Sequence, residues 1–337
     1  MNAPPAPLLF ALSESRTLGL EISRDARVEL APLEERSFEE GEFKLRPLVP
    51  VRNRTVFVVQ SFAGSAEVPV AQRLVRLLFL LFGLRDAGAS TIIALVPYLA
   101  YARKDRRTQP RDPVNTRYIA QLLAATGVDR LVALDVHNPA ALDNSFRIPV
   151  DHLSAIPMFV NHFSQRLRAA QIAVASPDVG GIKRVQIFRE LLETPLGHKI
   201  ELAFIEKRRS GGVVSGGTVV GDVTGRAVVV LDDLCASGGT LIRAATILRE
   251  AGATAVHVAF THAPLARGLA ALAAADDIAE IVLTDSVGSA PRVKDSSWRG
   301  RLTVLPVAPL LGQAVARMLS GAPLTPLLQQ WPPADPV

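Results

Sequence analysis

The stretch AVVVLDDLCASGGTLIRAATIL, residues 227–248, decides the fold. Its opening, AVVVL, is a valine-rich run with no polar interruption, as expected of a strand buried on both faces. The run ends on two carboxylates, Asp232 and Asp233. A loop of small residues, Ala236-Ser237-Gly238-Gly239-Thr240, then opens a segment, 239–251, that reads as a helix. Apolar strand into helix is the repeating unit of a parallel sheet covered on both sides, so this region predicts an α/β fold.

The same alternation runs along the chain. Strand-like runs stand at VFVVQ (56–60), TIIALV (91–96), LVALD (131–135), IAVAS (172–176), LAFIE (202–206), AVHVAF (255–260) and IVLTD (281–285). Helical segments are expected at 70–86, 115–126 and 180–193. The two series fall on either side of NSFRIPVDHL (144–153), where the domain boundary is placed. A length of 337 residues agrees with about two domains.

Composition narrows the function classes. With 49% hydrophobic and 20% charged residues, disorder is excluded as the main state. The charge sum, 37 − 32 = +5, suits phosphate-bearing ligands, while aromatics at 5% leave little for stacking bases. The single cysteine, Cys235, excludes an intramolecular disulfide framework and fits a reducing cytosol. The longest apolar run, residues 77–82, is far short of the ~20 residues of a membrane span. The start, MNAPPAPLLFALSES, lacks the basic region of a signal peptide. The expectation is a soluble cytoplasmic protein that binds neither nucleic acid nor membrane.

Five strand ends carry unusual chemistry, and ligands of open parallel sheets sit beyond the carboxyl ends of strands. In the loop after Asp233, small residues let backbone N–H groups converge on an anion, and the helix N-terminus adds its dipole. Adjacent carboxylates accept hydrogen bonds from vicinal sugar hydroxyls, so a sugar phosphate fits both features. The loop lacks the Gly-Lys-Ser/Thr ending of a Walker sequence. Arg103, Lys104, Arg106, Arg107 and Arg111 form a basic segment for which a polyphosphate is a natural partner, a solvated basic loop being the bland alternative. His137 follows LVALD, either as a ligand or as a satisfied loop residue. Asp178, in SPDVGG, is an oxygen ligand suited to Mg²⁺ or else a helix N-cap. Lys207, Arg208 and Arg209 run into the hinge-like SGGVVSGG, where cations on a loop can close over a transferring phosphoryl group.

The acidic pair with its small-residue loop resembles the phosphoribosyl-diphosphate-binding signature of type I phosphoribosyltransferases and ribose-phosphate diphosphokinases. The rest of the chain favours the second family. VPYLAYARKDRRTQPRDPVNTRYIAQLLAATGVDRLVALDVHNPAALDNSFRIPVDHL (96–153), SPDVGGIKR (176–184), IEKRRS (205–210) and RSFEEGEFKLRP (36–47) are similar to it in collinear order. The likeness runs from about residue 8 to residue 328.

That resemblance implies two similar type I phosphoribosyltransferase-like domains, an ATP-side domain over 8–150 and a ribose-phosphate domain over 151–309. A helix at about 310–328 is expected to pack back on the first. It implies a transferase of nucleotide biosynthesis that moves the diphosphoryl group of Mg–ATP to C1 of ribose 5-phosphate, giving 5-phosphoribosyl 1-diphosphate and AMP. Carried over residue by residue, Lys207 and Arg209 are catalytic. Phe38, Glu40, Glu42, Arg103, Lys104 and His137 bind ATP; Asp232, Asp233, Ser237, Gly238, Gly239 and Thr240 bind the sugar phosphate; His137 and Asp178 serve Mg²⁺. A dimer-based homo-oligomer, up to a hexamer, with ATP sites shared between subunits is also implied.

The chain departs from the family at Ala236, where an aspartate is common, at Ser237 and Lys104, where threonine and glutamine are common, and at Glu40, where aspartate is usual. The segment EVPVAQRL (67–74) lacks the usual Asn-Asp character. A catalytically weak or silent paralogue that regulates a partner subunit is the competing reading, favoured by Ala236 and opposed by the retained cations, His137 and the acidic pair. A phosphoribosyltransferase would explain the loop but not residues 103–111 or a second α/β half.

Overall fold

The computed structural model describes residues 5–64, 68–210, 213–264, 266–288, 298 and 300–332, with the side chains of residues 207–216 and 265–267 outside that description. The described chain is α/β and divides into two compact units.

The first unit takes the described residues up to Leu153. Its elements are β1 (Leu8–Ala11), α1 (Arg16–Ala26), β2 (Glu29–Leu30), β3 (Leu33–Ser37), β4 (Phe43–Pro47), β5 (Thr55–Val59), α2 (Val70–Asp86), β6 (Thr91–Val96), α3 (Asn115–Ala125), β7 (Arg130–Leu134), α4 (Pro139–Ser145) and β8 (Val150–Leu153). Six strands form one sheet in the order β2-β1-β5-β6-β7-β8, every pair parallel. Strands β3 and β4 make a separate antiparallel hairpin. Val56, Phe57, Val58 and Val59 of β5 are fully out of water, as a strand covered on both faces requires.

The second unit holds α5 (Ile156–Arg166), β9 (Ile172–Ser176), α6 (Ile182–Leu196), β10 (Glu201–Ser210), β11 (Val213–Val220), β12 (Ala227–Leu234), α7 (Gly239–Glu250), β13 (Ala255–His262), α8 (Ala266–Ala274), β14 (Glu280–Thr284) and β15 (Leu302–Leu305). Its sheet has the order β11-β10-β9-β12-β13-β14-β15, parallel except for the β10–β11 pair. Phe159, Phe163, Phe188 and Phe260 are its largest fully buried side chains. Each contributes roughly 1.5–3 kcal/mol of burial.

The chain then returns. Ser286–Gly288 and Val307–Leu324 belong to the first unit, and α9 (Ala308–Ser320) packs along α1. Gly312 permits the approach, since a Cβ there would stand 2.5 Å from Asp25 Cβ. A short α10 (Pro326–Gln329) lies against α5.

Two expectations change. The segment 202–206 extends as β10 through Ser210 and pairs with β11, so Lys207–Arg209 lie on a strand rather than a glycine-rich loop. Glycine costs a strand entropy but does not stop it where a ladder forms, here with a register shift between Arg208 and Arg209. The run AVVVLD (227–232), expected as a strand, likewise extends as β12 through both acids to Leu234.

Candidate active site

The site of the second unit is built where β12 turns into α7. Asp233 is buried and Asp232 half-buried at the carboxyl end of the strand. The Cys235 N–H donates to the His262 carbonyl at 2.8 Å, which continues the strand's alignment with β13 through the turn. Gly238 then takes a left-handed conformation, φ +78°, as N-cap of α7. A Cβ there would meet the Gly268 carbonyl oxygen at 2.8 Å, and one on Gly268 would meet the Ala236 oxygen at 2.3 Å. Both positions therefore require glycine. No side chain caps α7, and its first turn holds no acid. Its leading amides, including those of Gly239 and Thr240, lack intrahelical acceptors by helix geometry. An anion is the complement of that end. Ser237 is exposed beside it.

Electrostatics at the acidic pair are set by a residue far from it in sequence, Arg184. The Arg184 guanidinium, from the first turn of α6, lies 3.1 Å from Asp233 Oδ1 and 3.6 Å from Asp232 Oδ1. The Asp233 N–H donates to Asp232 Oδ1 at 2.9 Å. Burial, and then the neighbouring Asp233 carboxylate, push the Asp232 carboxyl well above its usual range, while Arg184 opposes them. Cys235 has its thiol pushed up to about 12 by burial, which makes it an inert part of the loop.

In the first unit, the basic segment follows β6. Lys104 meets partners within its own segment: its ammonium donates to Thr108 Oγ1 at 3.0 Å and pairs with Asp112 at 2.5 Å. Asp112 also accepts from the Thr108 and Gln109 N–H groups, and Lys104 with these donors holds its carboxyl well below the usual range. The segment thus supplies one of its own counter-ions. Arg103, Arg106, Arg107 and Arg111 are exposed and make no ion pair among the described residues. Asn138 caps α4 and donates to Asp105 Oδ2 at 2.6 Å, which ties the loops after β6 and β7 together. His137 is exposed between Val136, whose N–H donates to His152 Nε2 at 3.0 Å, and that cap.

Phe38 stands at the β3–β4 turn, where its N–H donates to the Glu42 carbonyl at 2.8 Å and Arg36 lies over its ring, 4.9 Å from the centroid. Glu40 and Glu42 are exposed at the same tip. Asp178 is an N-cap, accepting from the Gly180 N–H at 3.0 Å. Lys207 and Arg209 sit on β10 opposite Gly217 and Val214. Among the described residues no group of three or more His, Cys, Asp or Glu gathers to hold a metal ion. No described helix is long and apolar enough to cross a membrane.

Residues 8–127 match the N-terminal domain of ribose phosphate pyrophosphokinase, and residues 151–295 match the phosphoribosyl transferase domain. The ribose-phosphate pyrophosphokinase of Listeria ivanovii is 32% identical over 326 residues, 96% of this chain and 98% of its own. Ribose-phosphate pyrophosphokinase 1 of Streptococcus mutans is 31% identical over 95% of this chain and 96% of its own. The crystal structure of phosphoribosylpyrophosphate synthetase from Mycobacterium smegmatis superposes with a TM-score of 0.82 at 30% identity, covering 94% of this chain and all of that one.

Proposed function

The chain belongs to the ribose-phosphate pyrophosphokinase family, and we propose that it transfers the diphosphoryl group of ATP to ribose 5-phosphate. The C1 hydroxyl oxygen of the sugar bonds to the β-phosphorus, the bond from that phosphorus to the α-phosphate's bridging oxygen breaks, and AMP leaves as the hydroxyl proton is lost. The observation that carries the reading is the β12–α7 turn. It sets two carboxylates, acceptors for a vicinal diol, directly before an uncapped helix N-terminus suited to a phosphate.

Asp232 and Asp233 take the ribose hydroxyls, and the segment Ser237, Gly238, Gly239 and Thr240 takes the 5-phosphate. Arg103, Lys104 and His137 serve ATP in the first unit, the exposed guanidinium of Arg103 being suited to a triphosphate. Phe38, Glu40 and Glu42 reach the nucleotide of a second copy in a dimer-based homo-oligomer, up to a hexamer. Lys207 and Arg209 neutralise charge that develops on the transferred group. Mg²⁺, served by His137 and Asp178, supplies charge neutralisation on the phosphates when bound. A cytoplasmic location, where both substrates are found, completes the proposal and fits a lone buried thiol.

Purified full-length chain with Mg–ATP and ribose 5-phosphate is expected to release AMP in step with sugar consumed. Lys207→Ala should lower kcat by roughly 10²–10³-fold, the scale of one lost transition-state donor, with sugar affinity nearly kept. Intact ribose 5-phosphate binding without any AMP would sink the proposal and leave a ligand-binding regulator.

A further inference from the structure

Arg184 occupies a place that its own helix does not explain. It stands in the first turn of α6, where a cation meets the positive end of the helix dipole and no acid of that turn offsets it. Its side chain is only 17% exposed, and a guanidinium withdrawn from water requires partners. The carboxylates it meets among the described residues are Asp233 and Asp232, 49 and 48 positions further along, and one nitrogen serves both. Two adjacent acids with one guanidinium carry a single net negative charge. Position 236 is alanine, so the loop adds no third acid.

We propose that Arg184 is a positioning residue for the sugar acceptor, its guanidinium holding the Asp232 and Asp233 carboxyl groups turned so that the pair accepts hydrogen bonds from two neighbouring ribose hydroxyls. The inference rests on the pyrophosphokinase reading and adds the residue that makes its sugar subsite selective. A carboxylate only accepts, whereas a protonated carboxyl also donates. The guanidinium takes one oxygen of each acid, at 3.1 Å on Asp233 and 3.6 Å on Asp232, and so fixes how the two groups are turned. The upward push on Asp232 from burial and from Asp233 is the tendency that Arg184 opposes. A 2-deoxy sugar, lacking one hydroxyl, would gain nothing from the second acceptor.

The test compares kcat and KM for ribose 5-phosphate and 2-deoxyribose 5-phosphate in wild type, Arg184→Gln and Arg184→Lys, with the KM for ATP as control. Loss of a charged hydrogen-bond arrangement should raise the ribose 5-phosphate KM of Arg184→Gln by about tenfold or more. Its kcat and ATP KM should stay within about threefold, far less than the roughly tenfold or greater change of a lost charged contact. The preference for ribose over 2-deoxyribose should collapse by the same factor as the ribose KM rises. Arg184→Lys keeps the charge without the planar fork and should recover part of that preference. An unchanged preference in Arg184→Gln, or equal weakening of both substrates, overturns the assignment. Should Arg184→Gln fail to fold, an unchanged preference in Arg184→Lys overturns it equally. If wild type makes no AMP with either sugar, the pyrophosphokinase reading fails on its own. Calorimetric titration of ribose 5-phosphate into wild type and variant then decides Arg184, equal affinities overturning it.

Discussion

Asp232 shows function and stability pulling apart at one residue. Its carboxyl is raised by burial first and by the Asp233 carboxylate next, so the charged form costs the native state at neutral pH. For a group whose folded pKa is raised, the stabilising contribution is present in acid and lost as pH rises through the folded value. Asp232→Asn removes the charge, leaves Arg184 with Asp233, and should stabilise the protein at pH 8 by about 1 kcal/mol. That gain should shrink as pH falls from about 8 toward 4, because the native carboxyl takes up its proton near 8 and the unfolded chain only near 4. Affinity for ribose 5-phosphate should fall by about tenfold or more as an acceptor is lost. Urea unfolding at pH 8 and pH 5 checks the stability claim, and a variant less stable than wild type at pH 8 would refute it. The acids and the loop glycines were legible in sequence because strand, loop and helix follow one another within residues 227–248. Arg184 was not, because its meeting with Asp233 depends on β9 and β12 lying side by side.

Elements were legible where they were long and uniformly apolar, and poorly so elsewhere. Helix α2 spans the residues its composition indicates, and β6 and β9 match the apolar runs that mark them. Strands β1, β2, β8 and β15 have only two to four residues, too few for a period to register. The β10–β11 hairpin was hidden by its charges and glycines, though both suit an edge. Gly217, opposite Lys207, is needed because a Cβ there would stand 2.6 Å from Ile205 Cγ2. The segment after β6 makes a prediction of its own. If Lys104 works through Asp112, the pair shapes the loop that presents Arg103, and the two residues must be coupled. Lys104→Gln and Asp112→Asn should each raise the ATP KM about two- to fivefold, the scale of a partly exposed pair, and the double variant should be no worse than either. Steady-state ATP kinetics of all four proteins decides it; fully additive losses would mean that Lys104 meets the nucleotide independently of Asp112.

Over the whole molecule, the two-sheet α/β outline follows from strand and helix alternation, but the return of residues 307–324 to the first unit does not. The family likeness is what raises it as an expectation for about 310–328; physically it rests on α9 finding α1 through Gly312. A second long-range arrangement, this one silent in sequence, ties four elements of the second unit together away from the β12–α7 turn. Glu280, the first residue of β14, accepts from His162 of α5 on one oxygen and from His257 of β13 on the other, each at 3.0 Å. Thr303 of β15 donates to it at 3.4 Å, and Arg166 of α5 lies 3.9 Å away. Burial alone would raise this carboxyl, but the two histidine hydrogen bonds and their charge prevail and bring it down to about 2, from an ordinary 4.5. A depressed folded pKa stabilises above the unfolded value and is lost as pH falls through the folded one. The contribution is therefore complete above pH 4.5, fades between 4.5 and 2, and is worth about 3 kcal/mol by linkage. Glu280→Gln keeps the shape, loses the charge, and should be about 2–3 kcal/mol less stable than wild type at pH 7. The difference should close steadily as both proteins are taken from pH 4.5 toward pH 2, while AMP release at neutral pH keeps its kcat. Denaturant unfolding followed at pH 7, 4 and 3 measures the closure, and a gap that stayed constant across that range would show that packing, not the carboxylate's charge, holds these elements together.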